Sequence, residues 1–172
     1  SARGPTARFP AADREAAGMS ERDLDELDRT ILHALQNDAR KLSTSTIADR
    51  MGVAASTVRT RIRNLEEAGI LTGYHAEVDY ETAGFQLHTL ITCNAPIPER
   101  ERLAREAVEI EGVVAVREVM TGSENVHVEV VGRDGDDLSR IGRELDELGL
   151  EVEDEDLIRN EYVHAYSGFD AE

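Results

Sequence analysis

Cysteine is nearly absent from this sequence, lysine equally so, and no long apolar run occurs in its 172 residues. The lone Cys93 excludes an intramolecular disulfide, and no Cys/His spacing resembles a structural zinc site. A reducing interior, the cytoplasm by default, is therefore expected. No apolar stretch approaches the roughly 18–20 residues of a membrane span, and the N-terminus lacks the apolar centre of a signal peptide; a soluble chain that is not exported is expected. Catalytic signatures are missing as well. Neither Gly-x-Ser-x-Gly nor a phosphate-cradling glycine loop occurs, no local signature implies a Ser/His/Asp or Cys/His arrangement, and neither enzyme activity nor a cofactor is expected.

What the chain has in excess is negative charge: 36 acids oppose 19 bases, for a formal net charge of -17. Taken alone, that argues against a nucleic-acid partner. Its distribution argues otherwise, because residues 81–172 hold 23 acids and 8 bases whereas residues 20–80 hold 11 and 8. Lys41 is the one lysine; the other 18 bases are arginines. A Lys-poor, acid-rich, Ala/Val-rich surface resembles proteins of salt-accumulating organisms, in which dense carboxylates keep a chain hydrated while molar salt shrinks the Debye length to about 3 Å. A halophilic source, an archaeon, is expected.

At this length two small domains fit best. Residues 1–18 are rich in Ala, Arg, Gly and Pro without periodicity and read as a disordered tail ahead of Met19. Asp25 then signals the N-cap of a helix whose Leu27, Ile31, Leu32 and Leu35 form a buried stripe ending near Asn37 and Asp38. Ser43 caps a second helix with Ile47, Ala48 and Met51 inward and Gly52 as its stop; a third runs from about Ala55 to Ala68 with Gly69 after it. Ile70 to Asp79 reads as a β-hairpin about Gly73, a wing on three helices, so residues 19–82 form a winged helix-turn-helix. Beyond it Phe85, Leu87, Thr89, Ile91 and Cys93 alternate as a strand, and Leu103, Ala107 and Ile110 mark a helix stopped by Gly112. Strands follow at Val113 to Met120 and Val126 to Val131, then a helix capped by Asp136 or Asp137 and stopped by Gly149, and a last strand between Leu157 and Tyr166. The order β-α-β-β-α-β predicts a ferredoxin-like domain over residues 83–172, within an α+β fold class.

A helix that enters the major groove must carry donors on its free face. At about 100° per residue with Val58 as zero, Ile62 and Leu65 fall beside Val58, while Ser56, Thr60 and Arg63 fall within about 40° of the opposite side and Arg59 and Asn64 flank them. Arg59 and Arg63 suit guanine edges, Ser56 and Thr60 suit phosphate or base edges, and Thr57 lies at the helix N-terminus, where phosphate is favoured. Arg61 projects nearer the core stripe, towards a phosphate or an intradomain carboxylate. Residues 55–65 contain no acid, although about one residue in five of the chain is Asp or Glu. Double-stranded DNA is the expected partner; the alternative is a structural three-helix bundle with solvated arginines.

Three stretches carry a likeness: Leu24 to Leu32, Ile47 to Val53, and Thr57 to Leu71. They resemble the feast/famine regulators of the Lrp/AsnC family, and the likeness extends from about residue 23 to the C-terminus. It implies a winged helix-turn-helix joined to a ferredoxin-like (RAM-type) domain that dimerises, assembles further, to an octamer for instance, and takes an amino acid or related effector. Two positions depart from the family pattern. Ala54 stands where Ser or Thr usually caps the reading helix, a cap worth about 1 kcal/mol. In the loop that lines the family's effector pocket, Gly-x-x-Asp becomes Gly122-Ser123-Glu124-Asn125, which removes a counter-ion for an α-ammonium group. A plain turn accounts for the same four residues.

Five histidines raise a metal hypothesis. His33 and His75 fall in the first domain, His127 opens the third strand, and His88 and His164 could meet if the first and last strands pair; a triad and a functional metal site are not expected. The run Glu151 to Asp156 reads as solvated surface rather than a cation site. Overall a sequence-specific DNA-binding regulator is expected. The rival is a small-molecule-binding or enzymatic ferredoxin-like protein whose N-terminal helices only mediate oligomerisation.

Overall fold

The computed structural model describes residues 24–41 and 43–169; the tail expected over residues 1–18 and the start at Met19 lie outside them. Two compact units result, one of residues 77–161 and one of residues 24–76 together with residues 162–169. The sequence-based boundary at residues 82 and 83 thus falls at 76 and 77, and the last residues leave the ferredoxin-like unit for the helical one.

The helical unit contains α1 (Glu26–Asp38), α2 (Thr44–Met51) and α3 (Ala55–Glu67). Asp25 caps α1 in a reciprocal box: its carboxylate accepts from the Asp28 N–H at 2.9 Å while Asp28 faces the Asp25 N–H. Ser43 caps α2, accepting from the Thr46 N–H at 3.2 Å, and Gly52 ends it in the left-handed region at φ 66. Ile31, Ile47, Val58 and Leu65 are buried from the three helices and form one core, each worth roughly 1.5–3 kcal/mol on removal from water. No strand forms among residues 70–79. The β-hairpin expected in the wing is a coil: Tyr74 and Val78 are half exposed, too little is buried to hold a lone hairpin, and Asp79 caps a tight turn at Thr82 instead.

The second unit is a four-stranded antiparallel sheet in the order β2-β3-β1-β4, from β1 (Leu87–Asn94), β2 (Val113–Glu118), β3 (Val126–Gly132) and β4 (Glu151–Leu157). Both helices, α4 (Arg100–Ala107) and α5 (Gly135–Leu148), cover one face, where Ile91, Val128, Val130, Leu103, Ile141 and Leu145 are fully or almost fully buried. Gly112, at φ 98, lets α4 pass into β2 against α5; a Cβ there would lie 2.8 Å from Ile141 Cδ1. Cys93 is buried in this core, and its thiol is pushed up to about 12 by burial and by the carboxylates of Glu155 and Glu153.

Two elements differ from expectation. Asp134, not Asp136 or Asp137, caps α5, its carboxylate accepting from both of their N–H groups at 3.1 Å. The last strand is the acidic run Glu151–Leu157 rather than the stretch from Leu157 to Tyr166. Asp and Glu are poor strand formers, yet β4 needs only one apolar contact, Val152 on the core, because it lies at the sheet edge and its backbone pairs with β1. The run is indeed mostly exposed.

That shift places in different units the two histidines that could have met had the last strand run from Leu157 to Tyr166. His88 stays on β1, on the sheet face that α4 and α5 leave free, where its Nε2 lies 2.8 Å from Glu129 Oε1 and Tyr80 packs edge-on at 5.3 Å. His164 lies past β4, in the helical unit. Arg117 reaches the other oxygen of Glu129 at 2.9 Å. Burial raises the Glu129 carboxyl, but these two hydrogen bonds outweigh it and hold it below the ordinary value. Among the described residues no three His, Cys, Asp or Glu side chains group as a metal site would require.

Candidate nucleic-acid interface

Helix α3 presents two unlike faces. Val58 and Leu65 are buried and Ile62 packs beside them, while Ser56, Thr57, Arg59, Thr60, Arg63 and Asn64 are exposed, as the helical projection requires. Neither Arg59 nor Arg63 has an ion pair or side-chain hydrogen bond among the described residues, so both guanidinium groups are available to an external acceptor. Most arginines of the ferredoxin-like unit are engaged: Arg102 with Glu99 and Glu106, Arg133 with Asp137, Arg140 with Glu144. The Thr60 hydroxyl donates to the Ser56 carbonyl at 3.0 Å, which leaves its lone pairs outward. At the helix start Ala54 makes no side-chain cap, and neither Ser56 nor Thr57 replaces it. The first N–H groups of α3 are therefore open to a phosphate oxygen, a favourable partner for the positive end of a helix.

Arg61 takes the intradomain option. Its guanidinium lies 2.7 Å from Asp25 Oδ2 and 3.1 Å from both oxygens of Asp28, whose side chain is 5 % exposed. Those contacts raise the Arg61 pKa further, led by the hydrogen bond to Asp25. At Asp25 partial burial pulls upward, but the Asp28 N–H and Arg61 outweigh it and hold the carboxyl below its ordinary 3.8. The carboxylates that cap α1 thus clamp α3 by its middle. Arg61 is thus engaged within the helical unit; the Asp25 cap and an intradomain carboxylate as one option for Arg61 were legible in the sequence, but which carboxylates was not, because Arg61 and Asp28 lie 33 positions apart.

The second candidate site is the loop between β2 and β3. Gly122, Ser123 and Glu124 are exposed, and Glu124 holds φ at 51. Its N–H donates to Asn94 Oδ1, and the Asn94 amide in turn donates to Glu153. Asn125 points the other way: it is fully buried, its Oδ1 accepts from the Ala95 N–H at 2.8 Å and its Nδ2 donates to the Ala95 carbonyl at 2.9 Å. Three of the four loop residues expected at an effector site face solvent, and the fourth pins the loop base to the end of β1.

Residues 24–72 match the family model described as winged helix-turn-helix DNA-binding. Across a longer stretch the chain is 32% identical over 121 residues to the HTH-type transcriptional regulator AldR of Mycolicibacterium smegmatis, covering 69% of this chain and 70% of AldR. It is 32% identical to the regulator LrpA of Pyrococcus horikoshii, over 69% of this chain and 82% of LrpA. The chain belongs to the Lrp/AsnC family. Among solved structures, the feast or famine regulatory protein of M. tuberculosis complexed with L-methionine superposes with a TM-score of 0.69 at 25% identity, covering 81% of this chain and 95% of that one. This Lrp/AsnC member is accordingly a DNA-binding transcription regulator, with the helical unit as its DNA-binding module and the four-stranded sheet with its two helices as the second module of the family fold. No helix among the described residues is long and apolar enough to cross a membrane.

Proposed function

We propose that this regulator reads the major groove with Arg59 and Arg63, aided by Ser56 and Thr60, with Thr57 and the uncapped start of α3 on phosphate. The observation that carries this reading is the acid-free, exposed face of α3 bearing two unengaged guanidinium groups. Arg59→Ala and Arg63→Ala are each expected to weaken binding to a selected duplex from upstream of its own gene by about 1–3 kcal/mol, roughly 5- to 150-fold, in fluorescence anisotropy. Thermal unfolding should be unchanged, because neither side chain has a partner among the described residues. Equal losses of folding and binding would make this face structural and favour the rival reading of an oligomerisation module. A second copy completes the reader: two-fold symmetry presents two α3 helices to half-sites one helical turn apart.

The effector is proposed to be an amino acid or related small molecule, on the precedent of the neighbour bound to L-methionine. Gly122, Ser123 and Glu124 would meet it, with Glu124 supplying the carboxylate that Asn125 does not. Calorimetry with L-methionine should show binding to the wild type and a loss of about tenfold or more in Glu124→Gln. Binding untouched by that change would remove the loop from the site.

The acidic, lysine-poor composition supports a proposed origin in a salt-accumulating, halophilic archaeon. An ordinary regulator that releases six to ten counterions loses about 10³ to 10⁵ in affinity between 50 and 200 mM salt. Here a shallow or inverted slope is expected in KCl titrations, since an acidic protein must take up cations where it approaches DNA. A steep ordinary slope, with affinity abolished above molar KCl, would reject this origin.

A further inference from the structure

The last residues of the described chain belong to the DNA-binding unit, a hundred residues after that unit's helices. Beyond β4 the ladder ends with the Ile158 N–H on the His88 carbonyl at 2.8 Å, and the chain crosses back. Ala165 is then buried, with 7 % of its surface exposed, and Phe169 packs against the helical core. The Tyr166 N–H donates to Gln36 Oε1 of α1 at 3.2 Å, and the Tyr166 ring meets Phe169 edge-on at 5.0 Å and 89°. In the turn Ser167–Phe169 a Cβ on Gly168 would lie 2.5 Å from two carbons of the Tyr166 ring, so a larger residue there must displace that ring from the stack. Sequence, turn and packing all fit one docked conformation. By contrast Tyr162 and Val163, just before it, are largely exposed.

We propose that residues 165–169 are a latch for the DNA-binding unit, docked on α1, and that docking sets the affinity of α3 for DNA. The route lies within one unit: the latch orders α1, and α1 holds α3 through Asp25, Asp28 and Arg61. It also gives the chain a second covalent crossing between its two modules, besides that at residues 76–77. The affinity half of the proposal rests on the DNA-reading function proposed above; the docking half does not.

Full-length Phe169→Ala and Gly168→Ala test it, with Tyr162→Ala as a control outside the latch. Hydrogen exchange read by mass spectrometry should show α1 amides exchanging about tenfold faster or more in both latch variants, while those of β1 and β3 are unchanged. Affinity for the same upstream duplex should fall by a similar factor, and a synthetic peptide of residues 160–172 added in trans should restore both in Phe169→Ala. Tyr162→Ala should do neither. Unchanged α1 exchange in both variants overturns the latch; faster exchange with unchanged affinity overturns its control of DNA binding. If the wild type binds no duplex, the DNA reading fails, and exchange alone still decides whether the latch exists.

Discussion

Asn125→Ala is expected to destabilise the ferredoxin-like unit by about 3 kcal/mol, more than its size suggests. The amide satisfies both backbone groups of Ala95 at once, and all partners are buried. Truncation leaves an N–H and a carbonyl without water or partner, at about 1–3 kcal/mol apiece, and adds a small cavity. The informative comparison is Asn125→Asp. A carboxylate can accept from the Ala95 N–H but has nothing to donate to the Ala95 carbonyl, and it would bring a buried charge against that oxygen. Denaturant unfolding should therefore find Asp as damaging as Ala at pH 7 and partly recovered at low pH, where the protonated acid again has a donor. Stability of Asn125→Asp equal to wild type at pH 7 would contradict this account. The departure from Gly-x-x-Asp thus concerns the loop's anchoring to β1 as much as its ligand.

Arg61→Ala should be the most harmful single change among the polar residues of α3, although Arg61 does not touch the groove in the proposed mode. Removing it leaves Asp28, 3 % exposed, as a buried carboxylate without a counter-charge. Breaking a buried pair costs about 3–5 kcal/mol; with the Arg61 side chain 35 % exposed and Asp25 47 %, about 2–3 kcal/mol is expected after screening. DNA affinity should fall as well, and Arg61→Lys should restore only part of either property because it lacks the planar fork. The pH signature gives an independent check. Asp25 is held below 3.8 in the folded unit, so its contribution is complete above that value and is lost as pH falls through the folded one. Acid unfolding of Arg61→Ala should thus be shallower than that of the wild type as pH falls below about 4. Parallel acid curves would show that Arg61 does not hold Asp25 charged.

Sequence reasoning reached local features well and distant ones poorly. The caps Asp25 and Ser43, the stop at Gly52 and the stripe of Val58, Ile62 and Leu65 are written in residues at most four apart, and each was legible. The exposed face of α3 followed from the same periodicity. Arg61 remained divided between phosphate and carboxylate because its partners lie in another helix. The hairpin expected in the wing was misjudged since β-prone residues about Gly73 pair only if something covers them. β4 was missed for the opposite reason: its residues disfavour a strand, and pairing with β1 overrides that preference. Nothing in residues 162–169 signalled a place on α1, because the contacts that define it span 130 residues.

The acidity of β4 has a further consequence. An edge strand offers a row of unpaired backbone groups on which another chain can polymerise, and proteins commonly blunt such edges with charge. Here five of seven positions in Glu151–Leu157 are carboxylates, so two copies approaching edge to edge would line up ten negative charges along one shared edge about 20 Å long. The strand that propensity would have forbidden is thereby protected from recruiting its like, and the protection weakens as salt screens it. Concentrated salt makes this regulator's sheet edge more adhesive, which sets an upper bound on how far acidity alone keeps it dispersed.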